Sequence, residues 1–365
     1  MYLKSLELLQ FKNHEKTQMQ FSQEINCIVG LNGSGKTNIL DGIHYLSLTK
    51  SAVQSSDSLN VMHERDFFAI KGQFELGQKP LEVRCTVELG KKKQIYQNGK
   101  ALGKASEHVG LLPLVLIAPD DTELIKGGSE GRRKFFDGLL SQLDHSYLDQ
   151  LIRYHHFLKQ RNALLKQFAE TGRRDLTLLD SYDAELIELS GKLAVRRNAL
   201  LQEVAPLLQS HYSEISQGQE QVSIVYETEA LNTEFESYFK NLRKKDFITK
   251  NSNAGIHKDD FSFLIGAHPI RKIGSQGQQK SFIIALKLAQ FQVFERDRNE
   301  KPLLLLDDIF DKLDDQRIEQ LMDLISAHTF GQIFLTDARP ERSKKILSEL
   351  DSEVVFFGVE NGVLK

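Results

Sequence analysis

Gly30-Leu31-Asn32-Gly33-Ser34-Gly35-Lys36-Thr37 satisfies every fixed position of the pattern Gly-x-x-x-x-Gly-Lys-[Ser/Thr], and no other stretch narrows the choice of fold so far. The pattern works where a buried strand turns into a helix. Ile25 to Val29 supplies the strand, and Asn38-Ile39-Leu40-Asp41-Gly42-Ile43-His44-Tyr45-Leu46 supplies an amphipathic helix. Glycines at 30, 33 and 35 let backbone N–H groups turn inward around phosphate oxygens, and the helix N-terminus adds partial positive charge. Leu31, Asn32, Ser34 and Asn38 complete the expected nucleotide cradle. Lys36 is expected to reach the β and γ oxygens of ATP, and Thr37 to offer its hydroxyl to Mg²⁺.

A second constellation begins at Leu303-Leu304-Leu305-Leu306-Asp307-Asp308. A leucine run suits a strand buried on both faces of a parallel sheet, which puts Asp307 at its carboxyl end. There it is expected to position Mg²⁺ through water, with Asp308 as general base for the attacking water. Between the two lies Gly274-Ser275-Gln276-Gly277-Gln278-Gln279-Lys280-Ser281, followed by an apolar-faced helix from Phe282 to Phe294. This segment resembles the signature motif of the ABC-type ATPases, a helix start whose serine and glycine meet phosphate. The resemblance implies that Ser275, Gly277 and Gln278 close over the γ-phosphate held by the phosphate loop of another subunit. Phe310-Asp311-Lys312-Leu313-Asp314 stands at the D-loop position, with Asp314 opening a helix through Ile325. Gln332 to Thr336 reads as the next parallel strand. It ends in Thr336-Asp337, where ABC-type ATPases often carry a switch histidine.

The rest of the chain divides around these parts. Leu3 to Phe21 reads as a β-hairpin interrupted at Lys12-Asn13-His14, and Thr49 to Asn60 as a polar surface segment. Strands are expected at 67–75 and 81–89, with Lys91-Lys92-Lys93 as a solvated turn before another at 94–96. The run Leu112 to Ile117 stops at Ala118-Pro119-Asp120-Asp121. Long helical periodicity then runs from Gly131 to Tyr212, broken at Thr171-Gly172-Arg173-Arg174 and near Pro206. Strand signals return at 222–226 and 261–265, flanking a helix around Glu234 to Lys245. The expected architecture is α/β: an ABC-type P-loop ATPase head at 1–127 and 219–365, with a helical lid inserted at 128–218.

Cys27 and Cys85 have no partners at metal-ligand spacing, so they read as buried apolar side chains. No apolar run is long enough to cross a bilayer and no signal-peptide pattern opens the chain, so a cytoplasmic protein is expected. The formal net charge of −3 excludes a uniformly basic nucleic-acid binder but leaves room for a local patch. Basic groups stand at Arg132-Arg133-Lys134, Arg173-Arg174, Arg196-Arg197 and Arg243-Lys244-Lys245.

Taken together, these residues make the chain similar, over nearly its full length, to the RecF family of bacterial DNA replication and repair ATPases, which are related to the chromosome-maintenance ATPases. The similarity rests on Leu8-x-x-Phe11-Lys12-Asn13, the phosphate loop with Asn38 to Ile43, Ala118 to Asp121 with Lys126-Gly127, and Arg132-Arg133 with Phe136-Asp137. It continues through Leu158-Lys159-Gln160-Arg161-Asn162-Ala163-Leu164-Leu165, Gly255-Ile256-His257-Lys258-Asp259-Asp260, the signature segment and the paired aspartates. Lys12, Ile256 and Lys280 stand where Arg, Pro and Arg are usual in that family. The resemblance implies a weak, DNA-dependent ATPase that dimerises on ATP and binds single- and double-stranded DNA at gaps and junctions. It also implies work with RecR and RecO in loading RecA. The competing readings are a transporter-type ATPase subunit and an ATP-gated scaffold without DNA affinity.

Overall fold

The computed structural model describes residues 1–173, 175–216, 218, 220–312, 318, 320, 322–323 and 329–365, with the backbone alone at 311 and 312. Two compact units emerge, one from residues 1–122, 210–218 and 276–365, the other from 123–209 and 219–275. Among the described residues no helix is long and apolar enough to cross a membrane.

The first unit holds two six-stranded sheets. In one, β1 (Tyr2–Phe11) pairs antiparallel with β2 (His14–Gln20) and with β4 (Phe67–Leu76), and β5 (Lys79–Glu88), β6 (Gln94–Gln97) and β7 (Lys100–Ala101) follow in order. Alternation along β4 sends Phe68, Ile70 and Phe74 inward, the signature of a sheet with one covered face. The other sheet has at its centre β3 (Ile25–Val29), flanked in parallel by β13 (Ile333–Asp337) and β14 (Val354–Glu360). Beyond β13 lie β12 (Leu303–Leu306) and β8 (Leu114–Ile117), also parallel, and β15 (Val363–Leu364) closes the opposite edge. Parallel strands covered on both faces read as unbroken apolar runs, which is why each leucine of β12 is fully buried.

Helix α1 (Lys36–Leu48) contributes Ile39, Leu40, Ile43 and Leu46 to a core shared with Leu6 and Leu8 of β1, Ile70 of β4 and Leu303 of β12. The polar segment after α1 is pinned rather than loose. Asp41 accepts from Ser51 Oγ and the Ala52 N–H, both at 2.6 Å. The expected solvated lysine turn is corrected at Lys93, whose ammonium lies 2.9 Å from Asp57 and donates to the Thr49 carbonyl. Cys27 and Cys85 are free and buried.

The second unit contains α2 (Glu123–Lys126), α3 (Ser129–Leu143), α4 (His145–Thr171) and most of α5 (Leu176–Ser216). It also holds a three-stranded sheet of β9 (Val222–Glu227), β10 (Asp260–Ile265) and β11 (His268–Pro269), with α6 (Phe235–Asn241), α7 (Arg243–Thr249) and α8 (Ile270–Ile273). Residues 219–275, expected with the ATPase head, therefore fall with the helices. The reason is local packing: Phe136 of α3 stacks on Phe261 of β10 with ring centroids 4.1 Å apart, and Tyr226 of β9 stacks on the same ring. The division also falls ahead of Gly127-Gly128, between Thr122 and Glu123.

One expected helix break is absent, and one helix expected as continuous is broken. Helix α5 runs through Pro206, whose neighbours Val204 and Leu208 are buried on the core side and hold the turn that the missing N–H weakens. The helix expected over 234–245 is two helices with a joint at Leu242.

Most of the basic clusters are consumed inside this unit. Arg132 holds Asp260 at 2.8 Å, and Arg133 donates to Ser129 Oγ and the Asp259 carbonyl. Arg197 pairs with Asp137 and Asp259, both at 2.9 Å, while Arg243 grips Asp180 and Asp183. Arg196 pairs with Asp144, and Lys134 with Glu130. The arginine of the Lys-Gln-Arg-Asn run is structural too: buried Arg161 pairs with Asp183 and Asp246 and donates to Ser252 Oγ at 2.9 Å. Arg174 lies outside the described residues. Removing one partner of such a buried network strands the others. Arg161→Ala is expected to lower the unfolding free energy by about 3 kcal/mol, read from urea titration. An unchanged midpoint would contradict that account.

Candidate nucleotide site

Strands β3 and β12 end on the same edge of the parallel sheet with only β13 between them, so Gly30 and Asp307 emerge side by side. That is where open α/β sheets place their ligands. The chain leaving β3 needs glycine for two reasons. A Cβ at Gly30 would lie 2.2 Å from the Val359 carbonyl oxygen. At Gly35, φ is +114°, and a Cβ would meet Asn13 and His14 side chains within 2.9 Å.

The turn between β1 and β2 braces the loop. Asn13 Nδ2 donates to the Ser34 carbonyl at 3.2 Å, and Asn38 Nδ2 donates to Asn13 Oδ1 at 2.7 Å. His14 is fully buried, with Nε2 at 3.0 Å from the Gly35 carbonyl and Nδ1 at 2.9 Å from that of Gly362. Burial pushes its pKa down, which keeps the ring neutral at pH 7. From the opposite side, the Gly362 N–H in the β14–β15 turn donates to the same Ser34 carbonyl at 2.8 Å. Lys12, neighbour of this brace, is paired with buried Asp41 of α1 at 2.7 Å.

Lys36 folds over the loop and donates to the carbonyls of Gly30 at 2.9 Å and Leu31 at 3.2 Å. Thr37 Oγ1 donates to Asp307 at 2.9 Å, and Thr336 Oγ1 to the same carboxylate at 2.7 Å. Burial pushes the Asp307 carboxyl above its ordinary range, and the Thr336 and Thr37 hydroxyls oppose that shift. Thr336 also accepts from the Asp308 N–H at 2.8 Å. Asp308 sits in the left-handed region at φ +43°, and its Oδ1 is buried without a hydrogen-bond partner among the described residues. A cavity of about 350 Å³ is lined by Asn32, Gly33, Gly35, residues 36–38, Pro119 and Asp308. An all-oxygen set of hydroxyl and carboxylate suits a hard divalent cation such as Mg²⁺, and an unpartnered carboxylate oxygen suits a water to be oriented.

The sequence-derived site residues thus fall into two sets. Residues 30–38, Asp307 and Asp308 converge. Ser275 is exposed just before α9 (Gln276–Arg298), Gly277 and Gln278 lie in that helix's first turn, and none of them lines the cavity. The division between the two compact units runs between Ser275 and Gln276. At the D-loop, α10 (Ile309–Lys312) begins with buried Ile309 and Phe310; Leu313 and Asp314 lie outside the described residues, and of the helix expected through Ile325 only residues 318, 320, 322 and 323 are described, all of them helical. Asp337 is buried and accepts from Arg342 at 2.7 Å and from Ser343 Oγ, a structural role at the base of α11 (Pro340–Leu347). Sequence reasoning missed Asn13, His14, Thr336 and Gly362. The available signals were the polar Lys12-Asn13-His14 interruption between two strands and the place of Thr336, where ABC-type ATPases often carry a switch histidine.

Over residues 2–363 the chain matches the RecF/RecN/SMC N-terminal domain. It is 45% identical over 362 residues to the DNA replication and repair protein RecF of Cytophaga hutchinsonii, spanning 99% of this chain and 96% of that protein.

The chain belongs to the RecF family.

RecF of Bacteroides fragilis is 44% identical over 366 residues, covering 100% of this chain and 98% of that protein. Among solved structures, the recombination mediator protein RecF with ATPrS, of the RecFOR pathway, superposes with a TM-score of 0.90 at 28% identity, covering 100% of this chain and 97% of that one. RecF with ATP gives 0.89 at 28% identity and the same coverage. An Smc head bound to the winged-helix domain of ScpA, at 17% identity and a TM-score of 0.57, covers 100% and 96% and shares the fold. The ABC-type ATPase head is therefore the fold of this RecF-family chain, and ATP binding in DNA replication and repair is the family's business.

Thr336 is the testable newcomer. Thr336→Val keeps the shape but removes the hydroxyl that holds both aspartates. ATP turnover is expected to fall about tenfold or more, the equivalent of ~1.4 kcal/mol in the barrier, with folding retained by circular dichroism. Unchanged turnover would remove Thr336 from the site.

Proposed function

We propose that this chain is an ATP-gated DNA clamp in which the triphosphate is held between residues 30–37 of one copy and Ser275, Gly277 and Gln278 of a second. Lys36 neutralises the β and γ oxygens, and the N–H groups of the loop and the start of α1 cradle them. Thr37 and, through water, Asp307 are the Mg²⁺ ligands. Bound Mg²⁺ would offset charge developing on the phosphoryl oxygens. Asp308 orients the attacking water and accepts its proton. The observation that carries this reading is Asp308, which lines a cavity bounded by the phosphate loop and carries a buried Oδ1 without a hydrogen-bond partner among the described residues.

Turnover is slow, because the aspartate side chain at 308 is one methylene shorter than the glutamate usual after this strand in transporter ATPases. A slow hydrolase suits a clamp whose ATP-bound state must last. Its DNA is duplex beside a single-stranded gap, and its partners are RecR and RecO, which together with it load RecA. The similar solved RecF is a recombination mediator protein of the RecFOR pathway, which supports this assignment.

Gel shift of gapped duplex with and without ATP, beside sedimentation of the protein alone, tests the reading. ATP is expected to produce both a dimer and a shifted complex. A dimer that ignores DNA would leave only an ATP-gated scaffold. Asp308→Asn should keep ATP binding and dimerisation while lowering turnover about 100-fold, within the usual range for loss of a general base. Full turnover in that variant would assign the base elsewhere.

A further inference from the structure

We propose that the outward face of α7 is a contact surface for DNA at the edge of a single-stranded gap. Ile248 acts there as an apolar wedge against an unstacking base, and Lys244, Lys245 and Lys250 sit on the flanking phosphates. This rests on the DNA-binding reading above and names the element that would recognise the junction.

The inner face of α7 is fixed by groups that leave little freedom. Arg243 grips Asp180 and Asp183, buried Asp246 pairs with Arg161 at 2.8 Å and accepts from the Asn253 N–H at 2.9 Å, and Phe247 lies 6.3 Å from the Phe168 ring. At 100° per residue, positions 244, 245 and 248 then fall on the opposite side. All three are exposed. Ile248, 80% exposed, is the most exposed large apolar side chain among the described residues. The chain turns immediately afterwards: Lys250 has φ +56°, and Thr249 and Asn251 hydrogen-bond to each other across the turn.

A single exposed isoleucine is ordinary on a protein surface. This one stands among lysines. Arg132, Arg133, Arg197 and Arg243 are spent on carboxylates or carbonyls within the unit, whereas Lys244, Lys245 and Lys250 form no ion pair among the described residues. The outward positions of α7 carry Lys244 and Lys245 and no acid, so this face complements a polyanion. An apolar tip among lysines fits nucleic acid better than a bilayer. One isoleucine on a seven-residue helix buries too little to anchor in lipid, but one isoleucine is enough to prise apart a base step while lysines hold the phosphates. Unstacking costs least where a base has already lost a neighbour, which directs the wedge to the last pair beside a gap.

The test uses the full chain with ATP and a gapped duplex carrying 2-aminopurine at the last paired position. Wild type is expected to shift the DNA and raise the fluorescence. Ile248→Ala should lose the rise and bind the gapped substrate about tenfold more weakly, with continuous duplex little affected. Lys244→Ala combined with Lys245→Ala should reduce the slope of log affinity against log salt by about two. Urea midpoints equal to wild type would show that the outward substitutions spare the fold. If both variants match wild type on gapped DNA, the wedge is wrong while the DNA reading stands. If wild type shifts no DNA at all, both fall. If Ile248→Ala loses binding only to phosphatidylserine vesicles, the face belongs to a membrane and the inference is overturned.

Discussion

A buried carboxylate held by two threonine hydroxyls is the interaction on which the candidate nucleotide site turns. Asp307 leaves the core at the end of an all-leucine strand, in surroundings that disfavour its charge. Thr37 from the start of α1 and Thr336 from the end of β13 donate to it from different elements, so the carboxylate fixes where helix, strand and loop meet. The same Thr336 oxygen accepts the Asp308 N–H and helps hold that residue in its left-handed backbone. Strand order in the parallel sheet, hydroxyl placement and backbone strain at 308 are therefore parts of one arrangement.

The second unit solves a different problem with similar means. Its helices carry many arginines, and instead of offering them all to solvent it places Arg161 and Arg197 in the interior, each between two aspartates. Such networks add little net stability over apolar packing but penalise any arrangement that leaves one charge unmatched. They fix how the short β9–β10 sheet and α7 sit on the long helices, where apolar contacts alone would tolerate slippage.

Much of the head was legible because its signals are local. The phosphate loop, the leucine strand and the paired aspartates each follow from a few adjacent residues, and they lie together at one edge of the parallel sheet. What escaped notice was held by long-range contacts. His14 and Gly362 lie 348 positions apart and share a hydrogen bond, and the polar interruption at His14 does not say which distant residue it meets. Basic runs were misleading for the same reason, since Arg132 and Arg133 look like a surface cluster until Asp260 and the Asp259 carbonyl arrive from far along the chain. The expected break at Pro206 failed because a proline's local penalty was outweighed by burial on either side.

The brace on the phosphate loop has a consequence for biosynthesis. The Ser34 carbonyl is held by the N–H of Gly362, and β3 is flanked by β14, so the phosphate loop is completed by a segment translated long after it. While the ribosome is still working through the intervening codons, the early segment lacks its neighbour strand and its clasp. A nascent chain of this kind reaches nucleotide competence late, whatever else has already folded.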